Sequence, residues 1–178
     1  MATIGVLVGS LSRQAYSQKV ADYLVKNQTT AKWVQLNYDL LPLYNPDCEE
    51  ASVLEWQVFR SVVDQMDALL LITPEYNFSI PGGLKNALDV LSVPIPKSHI
   101  ANKPVLVVTD SSGDRGGANA NAHIQQLLRY MGMNVMNDFI TIGHVQTVFN
   151  RQGQLIDHEV GDQLTQAMAR FTKRMSLL

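Results

Sequence analysis

Cysteine is almost missing from this chain: Cys48 is the only one among 178 residues. No intramolecular disulfide can form, and a reducing compartment is the expectation. His99, His123, His144 and His158 show no metal-ligand spacing, so no metal site is expected, and each reads as a structural histidine. Long apolar runs are missing too. The N-terminal stretch from Met1 to Val8 has strand length, far short of the ~20 residues that a membrane span needs. It carries neither a basic leader nor a cleavage motif. A soluble, cytoplasmic protein without membrane insertion is expected. Charge of one sign is scarce: the formal net charge is -2, which gives no global field toward nucleic acid or an anionic membrane. Three catalytic or nucleotide signatures are also missing. No Gly-Lys-Ser/Thr follows a glycine-rich loop, no G-x-G-x-x-G opens a helix, and no G-x-S-x-G elbow anchors a hydrolase triad.

What is present is ordinary globular composition. Apolar residues make up 46% and charged residues 17%, enough to build a core in one domain spanning 1–178 and too apolar for disorder. Four short apolar runs read as buried parallel strands: Thr3 to Val8, Trp33 to Leu36, Ala68 to Thr73 and Pro104 to Thr109. They are continuous rather than alternating, as expected when helices cover both faces of a sheet. A fifth run, Val135 to Ile142, alternates more and suits an edge. Helical spacing fills the gaps. A first helix is expected from about Tyr16 to Lys26. Others are marked by Val53, Trp56, Phe59, Val63 and Met66, by Leu84, Ala87, Leu88 and Leu91, by Ile124, Leu127, Leu128 and Met131, and by Val160, Leu164, Ala167, Met168 and Phe171. Gly132 stands where a helix C-cap glycine belongs. The alternation of strand and helix points to an open, doubly wound parallel α/β sheet. The longest irregular stretch runs from about Asn37 to Glu50 and suits a surface or interface loop. Trp33 and Trp56 read as packing residues, and Asp64 and Asp67 as a solvated helix end.

Ligands of such sheets bind beyond the carboxyl ends of the strands, which directs attention to three loops. After strand one comes Gly9-Ser10-Leu11-Ser12-Arg13-Gln14-Ala15-Tyr16-Ser17. Small hydroxyl residues and amides at a helix N-terminus suit an anion such as phosphate, and Arg13 can add charge; the alternative is that Ser12 or Ser17 only caps the helix. After strand three comes Pro74-Glu75-Tyr76-Asn77-Phe78-Ser79-Ile80-Pro81-Gly82-Gly83. Two prolines stiffen it, Tyr76 and Phe78 offer flat apolar surface, and Asn77 supplies a donor and an acceptor. A planar heteroaromatic ring suits that wall; a rigid surface turn is the alternative. After strand four, Ser111-Ser112-Gly113-Asp114-Arg115-Gly116-Gly117 implies tight turns or close approach to a ligand.

At these loops the sequence resembles the NAD(P)H-dependent FMN reductase family, which includes quinone, azo-dye and chromate reductases. The match is most specific at Pro74-Glu75-Tyr76-Asn77, followed by Ser79, Pro81-Gly82, Leu84-Lys85-Asn86-Ala87 and Asp89. The first loop resembles the family's Gly-Ser-Leu-Ser stretch through Ser10, Ser12 and Arg13. The third resembles its Ser-x-Gly-x-x-Gly-Gly loop through Ser111, Gly113, Gly116 and Gly117, and Val148 to Gly153 is similar to its late turn. In a gapless reading, Ala15 and Ser17 stand where the family carries Ser and, two positions on, Asn. Ser12, Arg13 and backbone amides are left to compensate.

The resemblance implies a flavodoxin-like, five-stranded parallel sheet of order 2-1-3-4-5 with helices on both faces. It implies bound FMN, held by Ser10, Ser12, Arg13, Ala15, Tyr16 and Ser17, by Pro74, Glu75, Tyr76 and Asn77, and by Ser111, Ser112, Gly113 and Gly116. NADPH or NADH would reduce the flavin and a small-molecule electron acceptor (a quinone, azo compound, chromate or free flavin) would re-oxidise it in a ping-pong cycle. Tyr76 would wall the acceptor pocket, and no side chain is nominated as nucleophile or general acid. A homodimer or homotetramer is implied, with the flavin near the subunit interface. The competing expectations are a flavodoxin-type electron carrier and a flavin-binding regulatory protein without turnover.

Overall fold

The computed structural model describes residues 1–26, 28, 30–49, 53–94 and 98–175. Glu50, the expected end of the irregular stretch, lies outside them. The central sheet is parallel throughout. It contains β1 (Thr3–Val8), β2 (Lys32–Gln35), β3 (Ala68–Pro74), β4 (Pro104–Asp110), β5 (Asn134–Val135) and β6 (Ile140–Ile142). The order is β2-β1-β3-β4-β5, with β6 also paired to β4. The helices are α1 (Tyr16–Lys26), α2 (Leu54–Asp64), α3 (Gly82–Leu91), α4 (Ala118–Tyr130), the single turn α5 (Val145–Val148) and α6 (His158–Met175).

The continuous apolar strands follow from two separate cores. Leu7, Leu69, Leu71, Val105 and Val107 face one side, where they pack with Trp56 and Phe59 of α2, Leu84 and Leu88 of α3, and Ile124 and Leu128 of α4. Their chain neighbours Val6, Val8, Leu70, Ile72, Leu106 and Val108 face the other, against Val20 and Leu24 of α1 and Leu164, Met168 and Phe171 of α6. Alternate residues of a strand point to opposite faces, so a strand sandwiched between helices must be apolar at every position. The doubly wound reading is therefore borne out at β1, β3 and β4.

Two elements differ from expectation. β2 is an edge strand with Lys32 and Gln35 exposed, because only β1 pairs with it. The fifth run splits into β5 and β6. Between them the ladder gives way to side-chain contacts: the Asp138 carbonyl accepts from Gln125 Nε2 at 3.0 Å, and the Asp138 carboxylate pairs with Arg170. Both pieces still pair with β4, so the fifth sheet position is filled as expected.

The irregular loop after β2 is held by buried polar contacts. Asn86 of α3 accepts from the Tyr44 amide at 2.8 Å and donates to the Pro42 carbonyl at 3.0 Å. Trp56 Nε1 donates to the same carbonyl, and Arg60 forms a bidentate pair with Glu49. Asn86 belongs to the stretch that carried the family resemblance; here it fastens a loop. Helix α4 ends as expected. Gly132 adopts φ +82, its amide reaches Arg129 O, and Met133 N reaches Leu128 O, the paired bonds of a Schellman C-cap.

Candidate active site

Register brings three loops together. Val8 lies beside Ile72, and Pro74 beside Asp110, so β1, β3 and β4 end along one edge of the sheet. From β1 the order runs outward to β2 on one side and to β3 on the other. This is the topological switch point at which open α/β sheets bind ligands.

The first loop folds on its own backbone before α1 begins. A Cβ at Gly9 would lie 2.2 Å from Thr73 Oγ1, so only glycine lets β1 leave the sheet there. Ser10 Oγ accepts from Ser12 N at 3.2 Å, and Ser12 Oγ accepts from Gln14 N at 3.3 Å. These side chains shape the loop; they do not cap α1. The first-turn amides of a helix have no intrahelical partner, and in α1 they belong to Tyr16, Ser17 and Gln18.

The second loop is a tight hairpin turn. Tyr76 and Ser79 exchange backbone hydrogen bonds at 2.8 and 3.0 Å, with Asn77 at φ +51 and Phe78 at φ +64 between them. Positive φ at both central residues defines a type I′ turn. For phenylalanine that conformation is strained. The turn presents Phe78 72% exposed and Tyr76 48% exposed. Tyr76 Oη and Ser10 Oγ lie 3.3 Å apart, joining the first and second loops. The Glu75 carboxylate accepts from the amides of Asn119 and Ala120, both at 3.0 Å, and so caps α4 from a distance. Gly117, the residue before α4, has no side chain to do so.

The third loop is closed by glycine geometry. Gly116 has φ +58, and a Cβ there would lie 2.6 Å from Ile142 N. Ser111 Oγ accepts from Gly113 N at 3.0 Å. His144 and Asp114 pair at 2.9 Å on the rim.

One cleft of ≈ 260 Å³ opens where the loops meet. Ser10, Ser12, Ala15, Tyr16 and Ser17 line it from the first loop and α1. Pro74, Glu75 and Tyr76 line it from the second loop, and Ser111 and Ser112 from the third. Four residues expected at the site do not line this cleft. Arg13 is exposed on the first loop, Asn77 sits in the turn, and Gly113 and Gly116 shape the third loop. Three residues that sequence reasoning did not single out do line it: Gln14, Asp110 and Val145.

Asp110 is the chemically unusual one. It is the last residue of β4 and 3% exposed. Its Oδ2 accepts a hydrogen bond from Ser17 Oγ, itself 1% exposed. Burial pushes the Asp110 carboxyl up to about 6, and the Ser17 hydrogen bond pulls the other way. Nearby, Tyr38 donates to the Val8 carbonyl at 2.8 Å, and burial raises its phenol well above the ordinary tyrosine range. Among the described residues, no group of histidine, cysteine, aspartate or glutamate could hold a metal ion. No described helix is long and apolar enough to cross a membrane.

Comparison with known proteins agrees with this geometry. The family described as "NADPH-dependent FMN reductase" matches residues 2–147. A quinone reductase of Pseudomonas putida is 39% identical over 160 residues, covering 87% of this chain and 85% of that protein. A quinone reductase of Escherichia coli is 36% identical over 171 residues, covering 93% and 90%. Among solved structures, the flavoenzyme NAD(P)H:(acceptor) oxidoreductase FerB of Paracoccus denitrificans superposes with a TM-score of 0.87 at 27% identity, covering 99% of this chain and 98% of its own. A flavodoxin of Pseudomonas aeruginosa, at 16% identity and a TM-score of 0.60, shares the fold alone. The chain belongs to the NADPH-dependent FMN reductase family, flavin enzymes that draw on NAD(P)H.

Proposed function

We propose that FMN lies in the cleft between the three loops, and that the protein passes electrons from NADH or NADPH to a small quinone in two separate half-reactions. The observation that carries this reading is convergence. Ser10, Tyr76 and Ser111 are far apart in sequence yet line one cleft at the carboxyl ends of β1, β3 and β4. FMN bound there would supply the hydride chemistry; the protein supplies binding and orientation.

The donor set suits that cofactor. Hydroxyls of Ser10, Ser12, Ser111 and Ser112 and the first amides of α1 suit a phosphate and its polyol chain. The backbone of Pro74 to Asn77 suits the edge of a planar ring, with Tyr76 and Phe78 left exposed to wall an acceptor. Glu75 keeps that wall in place through α4.

Quinones lead the acceptor classes because relatives of this chain are quinone reductases, including a 2-hydroxy-1,4-benzoquinone reductase of a Burkholderia species at 30% identity. Azo compounds, chromate and free flavin belong to the same proposal as secondary acceptors. Assembly as a homodimer or homotetramer belongs to it as well. Exposed Leu40, Leu54 and Val58 share one groove with Leu41 and Val62, an apolar surface that a second copy would cover.

Steady-state kinetics test the proposal. Protein reconstituted with FMN is expected to oxidise NADH or NADPH with quinones, giving parallel double-reciprocal lines. Absence of oxidation with every quinone tried would overturn it.

A further inference from the structure

The cleft carries a feature at odds with an anion site: a buried carboxyl, Asp110, on its wall. We propose that the Asp110–Ser17 pair makes binding of the flavin phosphate proton-dependent, with Asp110 taking up one proton and thereby freeing the Ser17 hydroxyl to donate to the phosphate. This rests on the proposed placement of FMN in the cleft.

A serine hydroxyl has one proton, and an ionised carboxylate can only accept. While Asp110 is ionised, the Ser17 proton is committed to Asp110 Oδ2. The pair then offers an incoming phosphate a negative carboxylate and a hydroxyl oxygen without a free donor. With Asp110 3% and Ser17 1% exposed, little water screens that contact, and it is repulsive. When Asp110 is protonated, its own O–H donates to Ser17 Oγ. The Ser17 O–H is released to turn into the cleft, which both residues line. One proton thus replaces a repelling charge by a donor.

The surroundings leave this carboxyl uncompensated. On the strands beside it, Pro74 and Ile142 are neutral. Glu75, the next titratable group, is engaged by the amides of α4. On the third loop, Asp114 pairs with His144, and Arg115 donates to Asn119. On α1, Lys19 lies over the Tyr16 ring, and Asp22 accepts from Gln18. Arg13 is exposed on the first loop, and Tyr76 Oη meets Ser10. α4 faces β4 with the neutral Asn121 and Gln125, and α6 faces the sheet with Leu164, Ala167, Met168 and Phe171. Among the described residues, Ser17 is the hydrogen-bond partner of the Asp110 carboxyl, and no cation stands beside it to hold it ionised. Burial already holds the carboxyl at about 6 before any anion arrives, so the exchange falls near neutral pH.

Flavin-fluorescence titrations of apoprotein test this, with FMN and with riboflavin as a phosphate-free probe, on wild type and Asp110→Asn. Asparagine is neutral at every pH and can donate to Ser17, so it mimics the protonated acid and cancels the ligand's own titration from the comparison. Between about pH 6 and about pH 8, the ratio of wild-type to variant Kd for FMN is expected to grow about fifty-fold, as the protonated fraction falls. The riboflavin ratio is expected to stay constant. A constant FMN ratio overturns the inference and leaves the flavin site standing. No FMN binding by either protein at any pH overturns both. Calorimetry of wild type alone, in two buffers of different ionisation heat, gives a second reading: uptake of close to one proton per FMN at about pH 8 supports the exchange, and zero uptake refutes it.

Discussion

Glu75 sits in the middle of the Pro-Glu-Tyr-Asn stretch, and its carboxylate accepts the first free amides of α4. The residue thus joins the second loop to the helix behind the third. Glu75→Ala is expected to cost about 0.5–2 kcal/mol in urea denaturation, the range for a lost N-cap, and to weaken FMN binding by loosening Tyr76. Asp110 carries the pH dependence at this scale. Its carboxyl is raised in the folded protein, so the native state holds a proton over a range where the unfolded chain has released it. Stability from this group is therefore full below about pH 4 and lost as pH rises through about 6. Wild type should lose on the order of 2–3 kcal/mol relative to Asp110→Asn between about pH 4 and about pH 7. Thermal melts across that range check it, and parallel curves would refute it. Neither role was legible in the sequence. Asp110 reads as one of several polar residues after a strand, because its partner Ser17 lies 93 positions away and burial is a property of the fold.

At the scale of elements, the strands and long helices were legible because their apolar pattern is local to each segment. β1, β3 and β4 are apolar at nearly every position, and α3 and α4 lie close to their apolar spacing. What was not legible depended on partners distant in sequence. The break between β5 and β6 is held by Gln125 and Arg170 from two different helices. Exposure of β2 follows from its place at the edge of the sheet, which its own residues do not state. The Asn77-Phe78 turn has no glycine to announce it, although both residues lie at positive φ. Phe78→Gly is expected to stabilise the protein by up to about 1 kcal/mol by relieving that strain. It should also lower kcat/KM for quinones, because an exposed aromatic wall is lost. Gly116→Ala should do the opposite to stability. A Cβ 2.6 Å from the Ile142 amide, at φ +58, has no flexible neighbour to displace, and a loss of at least about 2 kcal/mol is expected in urea denaturation.

At the scale of the molecule, strand order makes the site. β1 and β3 are adjacent while the chain leaves β1 for β2, so the first and second loops open onto a shared crevice. β4 adds the third loop and places Asp110 on the crevice wall. The sequence pattern could direct attention to these three loops; only the register of the sheet makes them one cleft. The groove of Leu40, Leu54 and Val58 is a second feature at this scale. If a second copy covers it, light scattering on the eluting protein gives twice or four times the monomer mass, and Val58→Glu shifts it toward the monomer. The most direct test of the account is a crystal structure of the protein with FMN. The phosphate is expected among Ser10, Ser12 and Ser17, and the ring edge against the backbone of Pro74 to Asn77. A flavin bound elsewhere, with the cleft between the three loops left to solvent, would contradict it.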